Sequence, residues 1–591
     1  MIGFLRWMQR IALGTINGIA MVAFFVVLVI FALFAVGLIE GDGLPSQMVL
    51  SLDLRKQPAD SSHAPNLLFS RRTPTVMDTV LALDRAGRDS RVKGVFIQVG
   101  GGLPVAKAEE IGAALIRFRA TGRFVVAYAQ GFLDAGLGDY LAAASADQIW
   151  MQPKSPFSAA GTGAGAIFLR GLFDKIQAVP QIVKRSDYKS AADMYMEKDY
   201  TGPDREQTTA FLQSWYDSAV KEIAAERKVD AKKVIAFLQA DPQFAEDAKR
   251  AHLIDDLGYD DQAKRAARGR ADHAKLVAMS DYAHSTEDEG DVGNGPHVAL
   301  IEASGEIVDG SADHGALGGS EVIAGDDFAE AFRKARHDSS IKAILFRIDS
   351  PGGSVTASDQ ILEAVKEAQA AGKPVIVSMG PLAASGGYYV SSSANRIVAE
   401  PATLTGSIGV LTGKVSFGKS LSLIGVGVGD IGVGNNALFD SAVEPFTPQQ
   451  LASLNAQADE VYLTFKQNVA QGRKLTLPQV EAVAKGRVWT GADAKPRGLV
   501  DDLGTFWTAV GAVKTAIGVS PDVRLVFKEY PEKEGFFEVF AELLSGTSAG
   551  MRTVEGLSTL MRNPAVSAVV NAVDAAPRGQ VELQATNLPG G

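Results

Sequence analysis

The chain has 591 residues, more than one hydrophobic core supports, so about two to four domains are expected. Hydrophobic residues make up 46% and charged residues 21%, the balance of a folded protein with a membrane piece. A net charge of -10 with no basic run argues against a nucleic-acid partner, and the lack of cysteine excludes disulfides, thiolate metal sites and a cysteine nucleophile.

In chain order, the first expected element is a membrane anchor. No residue from Ile11 to Ile39 is charged, and Met21–Ile39 is almost continuously apolar. That run is long enough to cross a hydrocarbon core of about 30 Å. Arg6 and Arg10 precede it, whereas Glu40 and Asp42 follow, so the positive-inside bias leaves the N-terminus in the cytoplasm and everything after residue 40 outside. A cleaved signal peptide is the alternative, but the run is long for one and no small-x-small site follows. Residues 1–45 are therefore expected to be a cytoplasmic stub and transmembrane helix.

Beyond the anchor the chain repeats itself after about 250 residues, a period that means duplicated domains rather than a solenoid. Arg91–Val99 matches Ser340–Ile348, Ala120–Ala127 matches Ala370–Val377, and Ala146–Ile149 matches Ala394–Ile397. Asp255-Asp-Leu-Gly258 matches Asp501-Asp-Leu-Gly504. In each unit short apolar runs (Gly94–Val99 and Val125–Ala129; Ala343–Ile348 and Val375–Met379) alternate with helical spacing, as at Ile111 and Leu115 or Ile361, Leu362 and Val365. This β-α-β-α order predicts an α/β fold with parallel strands and right-handed crossovers. The expected first unit is 46–267, followed by a polar linker over 268–296, a second unit over 297–530 and a C-terminal extension over 531–591.

Three segments of the second unit are placed for chemistry. Asp349-Ser-Pro-Gly-Gly353 follows a strand, so its glycines can bring backbone N–H groups close to a ligand. Ala383-Ala-Ser-Gly-Gly-Tyr-Tyr389 follows the next strand and opens an apolar helix, which puts Ser385 where free N–H groups favour developing negative charge. Thr403-Leu-Thr-Gly-Ser-Ile-Gly409 holds Ser407 in a tight loop. Taken alone, Ser385 reads equally well as a helix N-cap, and Lys189 in the first unit as an ordinary surface lysine.

Together with Asp187-Tyr-Lys-Ser-Ala191, these segments resemble the signal peptide peptidase A (protease IV) family in its long, two-repeat bacterial form. The resemblance covers nearly the whole chain, anchor and repeat included. It implies tandem duplicated crotonase/Clp-protease-like domains and a serine–lysine dyad that degrades peptides left in the membrane after signal cleavage. Carried over by motif, Ser385 is the nucleophile and Lys189 its base. Gly386 with Gly353 (Gly352 as the alternative) forms the oxyanion hole, and Ser407 orients the lysine amine. No cofactor or metal is implied. The expected setting is the bacterial inner membrane with the catalytic domains on the periplasmic side, in a ring-like homo-oligomer such as a tetramer.

The repeat itself bears on the dyad. It sets Leu137 opposite Ser385 and Asp440 opposite Lys189, so each unit keeps one member only and a working site must join the two. A base lysine needs an apolar, water-poor setting to lower its affinity for a proton, and Asp187 and Asp193 would oppose that if they faced the amine. Lys184 and Lys198 are the competing lysines. The seven histidines lie outside the motif segments and there is no His-Glu-x-x-His, which disfavours a histidine triad or a zinc peptidase. Two other functions remain open at this stage. One is an acyl-CoA hydratase or isomerase on the same type of fold; the other is an inactive membrane scaffold.

Overall fold

The computed structural model describes residues 43–61, 74–132, 136–159, 161–240, 243–286, 295–312, 322–434 and 436–531, with the backbone of Glu582–Leu583. The anchor expected over Ile11–Ile39 lies outside the described residues. Among the described residues no helix is long and apolar enough to cross a membrane.

The first half folds around a parallel sheet of β1 (Met48–Asp53), β2 (Val92–Val99), β3 (Phe124–Ala129) and β4 (Gln148–Met151). Helix α1 (Val105–Arg119) crosses from β2 to β3, and α2 (Leu137–Ala144) crosses from β3 to β4. Ile111 and Leu115 face the core at 0% exposure, as the helical spacing predicts. Next come β5 (Val179–Arg185) and the 26-residue helix α3 (Gly202–Arg227), then β6 (Asp256–Leu257) and β7 (Lys275–Ala278). The sheet order is β6-β4-β3-β2-β1-β7. Strand β7 and the helix Met279–Ser285 fall in the stretch expected to be linker, so the first unit extends past residue 267. The polar stretch conceals the short edge strand because four residues, two of them exposed, are too few to show a period.

The second half repeats the design. Its main sheet contains β8 (His297–Ser304), β11 (Ile341–Ser350), β13 (Val375–Ala384), β14 (Arg396–Ala399), β15 (Leu404–Gly406), β17 (Val488–Thr490), β18 (Asp502–Leu503) and β19 (Val526–Tyr530). Helix α4 (Val355–Ala370) joins β11 to β13, α5 (Gly386–Ser391) follows β13, and α6 (Pro448–Arg473) is again 26 residues long. Duplicate hydrogen bonds fix the equivalence. Tyr140 donates to the Leu253 carbonyl in one half and Tyr388 to the Leu499 carbonyl in the other. Asp255 and Asp501 accept from the amides of Ile149 and Ile397 and pair with Arg227 and Arg473.

A third sheet crosses between the halves. It contains β9 (Glu306–Val308), β10 (Val322–Ala324), β12 (Gly353–Ser354), β16 (Val410–Ser416) and β20 (Glu582–Leu583), in the order β10-β9-β12-β20-β16-β5. Strand β5, from the first half, runs antiparallel to β16 with Arg185 opposite Val410 and Val179 opposite Ser416. This pairing carries the segment after β5 to the end of the second half's main sheet.

Candidate active site

The antiparallel register of β5 and β16 explains why Lys189 meets Ser385. Lys189 lies four residues past Arg185 and Ser407 three residues before Val410, so the pairing sets them side by side. Lys189 Nζ is 2.7 Å from Ser385 Oγ, 3.0 Å from Ser407 Oγ and 3.1 Å from the Ser407 carbonyl oxygen. All three residues belong to one chain, and all are buried.

Several local choices hold the lysine in place. Gln207 of α3 donates to the Tyr188 carbonyl and the Ser190 hydroxyl, while its carbonyl oxygen accepts from the Val488 amide. Gly486, at φ 76°, lets its loop pass against Lys189: a Cβ there would sit 2.6 Å from both the Cβ and the N of Lys189. Neither residue carries a motif in the sequence, because each acts across the boundary between the halves.

Burial alone pushes the Lys189 amine down to about 7. The two nearby aspartates do not reverse this. Asp193 is tied to Lys184 at 2.5 Å and accepts from Thr201, and Asp187 is exposed. The competing lysines are thus accounted for: Lys184 pairs with Asp193, and Lys198 with Asp174 at the surface.

Ser385 stands at φ 55° and ψ -116°, outside the region that L-residues favour, at the turn from β13 into α5. It makes no side-chain capping bond, so the N-cap reading gives way to the contact with Lys189. Its amide donates to the Gly406 carbonyl, and its carbonyl accepts from Tyr389. Ser407 is likewise left-handed, at φ 50°.

The glycines are packed as an oxyanion site would need. A Cβ on Gly386 would lie 3.0 Å from Gly352 Cα and 3.1 Å from Gly353 N, so the start of α5 touches the 352–353 turn directly. The Gly352 amide donates to Ser350 Oγ, which leaves Gly353 as the better of the two expected donors. Gly353 has φ 151° and approaches Ile307 closely enough that a Cβ would meet its carbonyl at 2.0 Å.

The equivalent place in the first half is built differently. Leu137 is fully buried, and the Asp139 carboxylate two residues on accepts from the amides of Gly100, Gly101 and Gly102 at 2.8–3.3 Å. A carboxylate of the chain itself occupies that cluster of donors. Asp440, opposite Lys189 in the repeat, is exposed. Among the described residues no group of histidines or acids is arranged to hold a metal ion.

Comparison with known proteins agrees with the duplication. The model of peptidase family S49 matches residues 117–274 and again 367–520. Protease 4 of Haemophilus influenzae is 31% identical over 475 residues, covering 77% of this chain and 75% of that protein. Protease 4 of Salmonella typhi is 31% identical over 512 residues, covering 84% and 80%. The chloroplastic serine protease SPPA of Arabidopsis thaliana is 32% identical over 492 residues, covering 80% and 70%. With two copies of the family's domain and similarity running through most of its length, the chain belongs to peptidase family S49.

Proposed function

We propose that the chain is a membrane-anchored endopeptidase with Ser385 as nucleophile and Lys189 as general base, acting on peptides such as signal-peptide remnants. The observation that carries this reading is the buried 2.7 Å contact between Lys189 Nζ and Ser385 Oγ, with an amine held down to about 7. A neutral amine has two N–H groups and one lone pair. The carbonyl and hydroxyl of Ser407 accept the two donors, which leaves the lone pair for the Ser385 hydroxyl proton.

The chemistry then balances. Ser385 Oγ bonds to the scissile carbonyl carbon as its proton moves to Lys189 Nζ, and Gly353 and Gly386 offer amides to the oxyanion. Collapse breaks the C–N bond, with the Lys189 ammonium protonating the leaving amine. Water, deprotonated by the same amine, hydrolyses the Ser385 ester. An extended peptide suits the site because β12 and β16 are separated by one strand's width, the place the Glu582–Leu583 backbone takes, antiparallel to Gly353–Ser354. The hydratase and scaffold alternatives give no use to a desolvated lysine on a serine hydroxyl. The inner-membrane, periplasm-facing setting and a homo-oligomer complete the proposal, as do units bounded by residues 46 and 530.

A serine-directed phosphonate should modify Ser385 and inactivate the protein, and Ser385→Ala should block both labelling and turnover. Full peptide turnover by Ser385→Ala would sink the serine reading. The pH profile is a separate test. Because the working base is the neutral amine, activity should fall as pH drops through about 7, whereas an ordinary lysine would leave little activity even at pH 8. Mass spectrometry and a chromogenic peptide assay from pH 5 to 10 would check both expectations. An acid limb near 10 would mean the amine is not desolvated in solution.

A further inference from the structure

We infer that Asp349 is a positioning residue for Ser385: its carboxylate holds the backbone bulge in β13 that turns the nucleophile toward Lys189. The inference rests on the Ser385–Lys189 reading above and adds a residue to it.

β11 and β13 pair evenly up to Ile348 opposite Met379, and the next pair is Ser350 opposite Ala383. One residue of β11, Asp349, therefore spans three of β13: Gly380, Pro381 and Leu382. An insertion of this kind bends a strand and re-aims the side chains beyond it. Here it does more, because β13 changes neighbours at the bulge. Before it, Ile376–Ser378 pairs with β14; after it, Leu382–Ala384 pairs with β15. The residue after Ala384 is Ser385 and the residue after Gly406 of β15 is Ser407, so the bulge sets the approach of both hydroxyls to Lys189.

A bulge this large loses ladder hydrogen bonds, and side chains replace them. Asp349 Oδ1 accepts from the Leu382 amide at 3.0 Å. Thr403 donates to the Gly380 carbonyl, and Arg347 to the Met379 carbonyl. Gly380 leaves room here, since a Cβ would crowd Asp349 Cβ and Asp60 Oδ2 at 3.1 Å.

The supports are anchored in the other half of the molecule. Arg347, fully buried, is gripped by both oxygens of Asp60 at 2.7 and 2.9 Å and by Glu110 of α1 at 2.9 Å. The charged or titratable groups around Asp349 are thus Asp60, Arg347 and Lys107, with Glu110 and Glu400 on the far side of Arg347. Burial, with Asp60 beside it, pushes the Asp349 carboxyl up to about 7, so a neutral acceptor at this position is compatible with the resting site.

The first half supplies a natural comparison. There the ladder of β2 and β3 ends at the matching pair, Val99 opposite Ala129, and Phe132 then bridges to Phe157, so this half changes neighbours as well. The residue matching Asp349 is Gly100, and the nucleophile position holds Leu137. The aspartate is present in the half that holds the serine and absent from the half that does not.

The test compares Asp349→Ala with Asp349→Asn in the full chain, reading kcat, KM, phosphonate labelling of Ser385 and melting temperature. Loss of the Leu382 contact should lower kcat and the labelling rate of Asp349→Ala about 100-fold, the scale expected for a small misplacement of a reacting group. KM should hold, since the peptide slot is not touched, and the acid limb should stay near 7, since it is burial that lowers the Lys189 amine. Asp349→Asn keeps an acceptor oxygen and should stay within about fivefold of the parent. If the alanine chain is not recovered folded, Asp349→Val replaces it. A folded Ala or Val variant with undiminished kcat overturns the inference, and so does an Asn variant as inactive as Ala. Neither result touches the serine reading, which fails only if Ser385→Ala itself turns over.

Discussion

Replacing Lys189 by methionine is expected to abolish peptide hydrolysis and at the same time to make the protein more stable at neutral pH. The activity loss follows from removing the base; the gain in stability follows from linkage. Burial lowers the amine from its ordinary value to about 7, so between roughly 7 and 10.5 the unfolded chain binds a proton that the native chain does not. Stability therefore rises with pH across that window and is lowest below about 7, where both states are protonated and the buried charge carries its full cost. That cost is on the order of 5 kcal/mol at most. Methionine fills a similar volume with no charge to bury, while forfeiting the hydrogen bonds to Ser385 and Ser407. A net gain of about 2–4 kcal/mol is expected at pH 7, shrinking toward zero near pH 10. Urea unfolding of both chains between pH 6 and 10 would measure it. A methionine variant less stable than the parent across this whole range would show that the lysine is solvated or paired in solution. Lys189→Arg should be inactive and much less stable, because guanidinium remains charged.

The parts of this picture that could be read from the sequence are those carried by local pattern. Apolar runs with helical or strand spacing gave both sheets, and the two units could be aligned because turns such as Asp255–Gly258 and Asp501–Gly504 recur. Ser385 stands out from its place between a strand and a Gly-Gly helix start and Lys189 by motif resemblance alone, and the structure brings the two within 2.7 Å. The β5–β16 pairing that joins them does not stand out, since strand pairing between distant segments leaves no periodic trace. For the same reason Gln207 and Gly486 carry no signal, although both fix the lysine loop. In the Asp349–Gly353 segment only the glycines stand out in the sequence. The role of its aspartate emerges only when the strand register around Leu382 is known. The linker expectation failed in part because β7 is a short, half-exposed edge strand within a polar stretch.

The two halves share one design, and they differ at Asp139. In the proposed mechanism the turn after β11 and the start of α5 offer amides to a substrate's oxyanion, whereas in the first half a carboxylate of the chain ties down the turn after β2. Asp139 is 1% exposed and accepts from three consecutive glycine amides. Charge-assisted bonds of this kind are stronger than neutral ones, but the glycines are partly open to water, which would replace some of them. Asp139→Ala should therefore cost about 3 kcal/mol, or roughly 6–12 °C in melting temperature for a unit of this size. Asp440→Ala, at the exposed position opposite Lys189, should be silent in both stability and turnover. Peptide hydrolysis by folded Asp139→Ala at low temperature should match the parent, because the first half's cleft takes no part in the chemistry. Differential scanning fluorimetry with a peptide assay on the same samples distinguishes the outcomes. An unchanged melting temperature would mean that the carboxylate does not hold the glycine turn. Lost activity with an unchanged melting temperature would mean that the first cleft is working after all, and that the asymmetry between the halves has been misassigned.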